Sequence, residues 1–255
     1  MLVRVEHVMG MAVSLDLADP LPVPELERLA DEVFAWLRLV DTTFSTYKPD
    51  SEISRLGRGE LRREDCSPMV GEVLDRCTSL WDETRGYFDI MVGGRLDPSG
   101  YVKGWAVQRA CDRLQLLGSS HHCLNAGGDV FVRGAAPGRS AWRVGVRHPW
   151  EALSLAWVLE VTDMAVATSG TYERGLHVYD PFTGEPAAAL RSVTVVGPEL
   201  GTADAYATAA LAMGEAGIDW LAQLPGHECA VVTEDGRAMR SDGLPVVADG
   251  VVADS

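Results

Sequence analysis

The sequence has no paired cysteines. Its five, Cys66, Cys77, Cys111, Cys123 and Cys229, are scattered, odd in number and free of any CxxC spacing. That pattern argues against a disulfide framework or a zinc knuckle. Cys77 and Cys111 fall on apolar helical faces and read as small core residues. Basic residues are also few: 22 Lys and Arg stand against 37 Asp and Glu, a net charge of −15. Such a surface repels phosphate backbones, so no nucleic-acid partner is expected; one small anion held by a metal and a few local donors stays compatible. No apolar run approaches the length of a membrane span, and the opening MLVRVEHVMGMAV has no basic stretch followed by an apolar one. The expectation is a cytoplasmic protein without membrane insertion. GxGxxG after a strand, GxxxxGKS/T, HExxH and GxSxG are all absent, so ordinary dinucleotide or P-loop chemistry has no support.

What is present is globular. The 255 residues are 47% hydrophobic and 23% charged, enough to bury a sizeable core in one large domain or two intimate subdomains; the expectation is a single domain over 1–255 with a compact two-subdomain fold. Residues 2–17 alternate as one or two strands, broken near Met9-Gly10. Leu26, Leu29, Val33, Leu37 and Val40 recur at helical spacing over 24–44. A second helix is expected over 67–85, with Ser67 as N-cap, Pro68 in its first turn, an inner stripe that includes Leu80 and Trp81, and Gly86 as C′ residue. A third runs from Ser99-Gly100 to Gly118, with Val102, Val107, Ala110, Cys111, Leu114 and Leu117 inward. Strands follow at 122–125, 129–133, 142–147, 154–161, 165–169 and 192–196. Then come a helix after Thr202, another around 218–224, and a final strand pair bracketing Glu234-Asp235-Gly236. Helices and strands do not alternate regularly, which favours an α+β fold with mixed or antiparallel sheets and flanking helices.

Four polar clusters could carry chemistry. Phe44-Ser45-Thr46-Tyr47 with Ser51-Glu52-Ile53-Ser54 follows an apolar helix and, on composition alone, is a loop with Ser51 capping a short turn. Tyr87-Phe88-Asp89 precedes Asp97-Pro98-Ser99-Gly100, with Lys103 in the first turn of a helix. A cation there opposes the helix dipole unless an anion binds, so Lys103 either points into solvent or faces a ligand. Asn125-Ala126-Gly127-Gly128-Asp129 is a tight turn or a close backbone approach to a ligand. Asp204 and Thr208 share one helix face. With a backbone carbonyl they form a hard-oxygen set suited to Mg²⁺; alternatively Asp204 caps the helix and Thr208 back-bonds to it. Asp180-Pro181-Phe182-Thr183-Gly184 is by itself a good turn.

In this order the clusters resemble the ApbE-type FAD:protein FMN transferases, over nearly the whole chain from His7 onward. The matching pieces are Met9-Gly10, Phe44-Ser45-Thr46-Tyr47, Gly86-Tyr87-Phe88-Asp89, Lys103-Gly104-Trp105-Ala106, Asn125 to Asp129, Ala167-Thr168-Ser169-Gly170, His177-Val178-Tyr179-Asp180-Pro181 and Ala203-Asp204 with Thr208-Ala209. The resemblance implies Mg²⁺-dependent cleavage of FAD and transfer of FMN through a phosphoester to a Ser or Thr hydroxyl of an acceptor flavoprotein, with release of AMP. Position by position it assigns Gly100, Asp204 and Thr208 to the metal, and Met9, Tyr47, Tyr87, Phe88, Asp89, Asp97, Lys103 and Tyr179 to FAD. It makes His177 the candidate base for the attacking hydroxyl, with Asp180 as base or orienting group. Departures exist: only eight positions separate Asp89 from Asp97, where the family usually carries a long excursion. Gly57 stands where Asn is usual, Met11 where Thr is common, and the metal loop reads Pro98-Ser99-Gly100. Two rivals share the site: a hydrolase in which water replaces the hydroxyl, and a non-catalytic FAD-binding protein, against which Asp204, Thr208 and His177 argue.

Overall fold

The computed structural model describes residues 1–151, 153–171 and 178–247. Strands β1 (Leu2–Val8) and β2 (Met11–Leu17) form a hairpin closed by Met9-Gly10. Both turn residues have positive φ, 56° and 73°, the left-handed geometry that matches the twist of two-residue hairpins. Helix α1 (Val23–Phe44) follows, then the short α2 (Glu52–Gly57) and α3 (Pro68–Glu83). The short hairpin β3 (Met91–Val92) and β4 (Arg95–Leu96) leads into α4 (Ser99–Leu116). Next come β5 (His122–Ala126), β6 (Asp129–Arg133), β7 (Trp142–Arg147), β8 (Leu155–Val161), β9 (Ala165–Gly170) and β10 (Leu190–Gly197). Helices α5 (Leu200–Met213) and α6 (Glu215–Leu221) and strands β11 (Glu228–Thr233) and β12 (Ala238–Arg240) end the described chain.

Eight strands make one sheet in the order β1-β2-β5-β6-β9-β10-β11-β12, and every pair in it is antiparallel. The fold is α+β. Helices α1, α4 and α5 cover one face and the β7–β8 ribbon covers part of the other. The strand period of two serves both faces at once. Phe131 of β6 joins the helix-side core while Val130 and Val132 join the ribbon-side core; Val193 and Val195 of β10 face the helices and Val196 the ribbon. Cys77 and Cys111 are buried on the helix side.

Helix α3 ends two residues earlier than its periodicity suggested. Arg85, with φ 57°, takes the left-handed C′ position and Gly86 follows as C″, its N–H bonding Trp81 O at 2.7 Å. Gly86 is itself left-handed, with φ 85°, and a Cβ there would also press on the Phe182 ring at 3.1 Å. Trp81 is not core: it is half exposed beside that glycine. Ser67 stands at the N-cap, but its side chain makes no cap bond, and its N–H donates to the Glu52 carboxylate at 2.6 Å. Leu117 lies past the end of α4 and is exposed.

One crossing sets the position of the site. Gly104 of α4 meets the backbone of α5 so closely that a Cβ would sit 2.7 Å from Gly201 N and Leu200 O. No rotamer can relieve a backbone clash, so the helices would have to part. Gly104→Ala is therefore expected to cost about 1–3 kcal/mol, read as a lower denaturant midpoint. An unchanged midpoint would show that the crossing tolerates a methyl group.

Candidate functional site

Three elements bring charge together. Lys103, from the start of α4, forms an ion pair with Asp129, the first residue of β6, and its Nζ lies 3.4 Å from Oδ2 of Asp204 on α5. The close α4–α5 crossing makes this reach possible. Asp129 and Asp204 are 1% and 4% exposed, so two carboxylates share one ammonium in the interior. Of the two readings of Lys103, the structure has the inward one. Asp204 sits inside α5 rather than at its cap, and Thr208 Oγ1 contacts Ser169 Oγ at 3.0 Å rather than its own helix backbone. Asp129 Oδ1 accepts the Thr168 N–H at 3.1 Å. The Gly127-Gly128 turn, with φ 62° and 100°, delivers Asp129 to this point.

Burial, reinforced by the charge of Asp129 and opposed by Lys103, pushes the Asp204 carboxyl up to about 8. Its Oδ2 is buried and faces the Lys103 ammonium. Among the described residues no group of three His, Cys, Asp or Glu side chains could hold a metal. What the cluster offers a cation is Asp204, Thr208 and main-chain oxygen, a hard-oxygen donor set in which two buried carboxylates share a single ammonium.

The cluster forms one end of a cleft of about 1280 Å³. Met9, Tyr47, Tyr87, Phe88, Asp89, Asp97, Gly100, Lys103, Tyr179, Asp180, Asp204 and Thr208 all line it. Every site residue inferred from sequence is thus in one place except His177, which lies outside the described residues. Their environments differ. Phe88 is buried with its ring 3.3 Å from where a Gly100 Cβ would be, so it shapes the floor. Tyr47 is 96% exposed and Tyr179 half exposed at the rim. Tyr87 meets Phe182 edge-on at 5.0 Å. Asp89, Asp97 and Asp180 each spend one oxygen on a nearby backbone N–H, those of Met91, Ser99 and Phe182.

Sequence reasoning gave no role to Asp129, Thr168 or Ser169, although the motifs containing them stood out. Nor did it find β3–β4, the hairpin that fills the short gap between Asp89 and Asp97 and brings Met91, Val92 and Gly93 to the cleft. The Gly93-Gly94 pair was its available signal.

Solved structures share this fold. The flavin transferase ApbE from Vibrio cholerae aligns with a TM-score of 0.80 over 94% of this chain and 97% of that one, at 23% identity. The chain belongs to the ApbE family, whose sequence profile matches residues 9–95 and 93–231. A Treponema pallidum protein named FAD:protein FMN transferase is 32% identical over 171 residues, 60% of this chain and 47% of its own length. One of the same name from Vibrio cholerae is 34% identical over 130 residues, 47% of this chain and 39% of its own. The chain therefore spans about half, or less, of these curated relatives.

The charge cluster has a measurable consequence. A carboxyl whose folded pKa is raised costs the folded state nothing below its ordinary value of 3.8, and progressively more as pH climbs to about 8. In metal-free buffer Asp204→Asn should therefore melt above wild type near neutral pH, with the gap closing toward about pH 4. A gap that stays constant in thermal melts across this range would contradict the charge strain at Asp204.

Proposed function

We propose that the protein is an FAD:protein FMN transferase. The observation that carries this is the Lys103–Asp129–Asp204 cluster, with Thr208 and Gly100 lining the same large cleft, whose rim carries aromatic side chains. A volume of about 1280 Å³ exceeds the roughly 300–1,000 Å³ of common small-molecule sites, which suits a two-lobed dinucleotide. The names of the curated relatives and the family profile favour the same reading.

In the reaction, the acceptor's Ser or Thr hydroxyl oxygen bonds to the FMN phosphorus of FAD. The bond from that phosphorus to the bridging oxygen breaks, the oxygen leaves with AMP, and the hydroxyl proton passes to a base. Asp204, Thr208 and the Gly100 carbonyl would hold Mg²⁺, which supplies charge withdrawal from the phosphate oxygens. Lys103 at the N-terminal turn of α4 places a fixed positive charge against the diphosphate, reversing its unfavourable position in the helix dipole. Asp129 holds the Lys103 ammonium in place. Tyr47, Tyr87 and Tyr179 offer ring faces to the isoalloxazine or adenine. His177 takes the hydroxyl proton, and Asp180, in the turn that follows it, orients it or replaces it.

Incubation with FAD, Mg²⁺ and candidate flavoproteins from the same genome, read by in-gel flavin fluorescence and AMP release, tests the reading. A labelled acceptor and stoichiometric AMP are expected; AMP without label would make the protein a hydrolase. Asp204→Ala should lower Mg²⁺-dependent AMP release by about 10²-fold or more while the far-ultraviolet spectrum stays native. His177→Ala should slow single-turnover transfer by roughly 10²-fold at unchanged FAD affinity, and a wild-type rate would move the role of base to Asp180.

A further inference from the structure

The β7–β8 ribbon leaves part of its sheet face uncovered. Beyond its rim the outward side of β1–β2 is open, with Val5 59% exposed. Between that open face and the ribbon runs a groove of about 640 Å³. Val5, Ala12 and Ser14 form its floor, and Gly145 to Arg147 of β7, with Leu155, form its wall.

Three properties distinguish it. The first is continuity with the cleft. Gly127 and Thr168 line both spaces, and the Thr168 N–H is the group bound to Asp129, the partner of Lys103. A glycine and a small side chain are all that the two spaces are seen to share as a boundary. The second is a strand edge with no partner strand among the described residues. The outer edge of β8 is taken by residues 245–247, through Glu160 N to Pro245 O at 2.8 Å and Val247 N to Val158 O at 2.9 Å. Among the described residues β7 pairs with β8 alone. An extended chain can add to such an edge, where main-chain bonds give affinity and alternate side chains give specificity. The third is charge. On a chain of net charge −15, no Asp or Glu among the described residues lines the groove, and the one charged residue among them that does is Arg147.

We propose, building on the transferase reading, that this groove receives the acceptor protein. The segment bearing the hydroxyl lies as an extended strand along β7, with apolar side chains on Val5 and Leu155. Its Ser or Thr side chain enters the cleft past Gly127 and Thr168. FAD and the acceptor thus arrive from different sides of one short turn, and neither has to leave for the other to bind.

The test uses the acceptor that the wild-type protein flavinylates. Val5→Glu and Leu155→Glu change groove residues that are already exposed, and Val3→Glu changes an exposed residue of the same face outside the groove. Each groove variant should raise the KM for acceptor about tenfold or more, with FAD affinity, and kcat at saturating acceptor, unchanged. Val3→Glu should behave as wild type. Wild-type acceptor KM in both groove variants, or an equal rise in all three, overturns the proposal. So does a result in which the groove variants only dissociate a dimer of this chain and still transfer normally. A wild-type protein that releases AMP but labels no acceptor fails the transferase reading itself, a different result from label lost only in the variants.

Discussion

Two buried carboxylates sharing one ammonium are the constraint on which the site depends. Asp129 and Asp204 come from a strand and a helix, and Lys103 from a second helix. With all three ionised the cluster carries a net −1 in a low-dielectric interior. That is costly unless every partner is in place. The geometry is therefore held by features that cannot slide. The Gly104 and Gly201 backbones fix the spacing of α4 and α5, and the Gly127-Gly128 turn fixes Asp129. A structure optimised for stability alone would not keep this arrangement, whereas one that must hold an anion and a cation side by side would.

The sheet serves the cleft through its turns. Met9 and Gly10, which close β1–β2, and Gly127, which closes part of β5–β6, all line it. A two-residue turn brings backbone close to a ligand without a loop to order on binding. Met9 is notable because a non-glycine residue at φ 56° carries a conformational cost of about 1 kcal/mol. Glycine would avoid that cost but would remove the side chain from the cleft wall.

Much of this was legible in the sequence where local rules decide. Ser51 caps α2 through Ser54 N, as the loop motif suggests. The Asp180 turn has its side-chain bond to Phe182 and its closing Gly184 N–H. The direction of Lys103 was not legible, because helix position alone leaves solvent and ligand readings equal. Only a partner distant in sequence, Asp129, decides it. Trp81 reads as core because its spacing fits the apolar stripe of α3, yet its ring lies half exposed against Gly86. The edge of β7 that has no partner strand among the described residues depends on which strands pair, a tertiary property with no mark in a single strand's alternation.

Charge bookkeeping around the cleft leads to one more step. Asp41, Asp89, Asp97, Asp180 and Asp204 line it, against Lys48 and Lys103. A cleft so acidic on a chain of net charge −15 should repel a diphosphate. The outer acids are partly neutralised: Asp41 pairs with Lys48, and the others accept backbone N–H groups. Such bonds disperse charge but do not cancel it. Once Asp204 ionises, the inner cluster holds one negative charge beyond the Lys103 ammonium. On the proposed reading, a cation held by Asp204 would offset that charge when a diphosphate binds, and affinity for FAD should be linked to it. Ordinary screening does not substitute for it, because mobile salt acts over about 8–10 Å in water and weakly on buried groups. On that same reading, the acidity of the site is what would make a metal part of the binding energy.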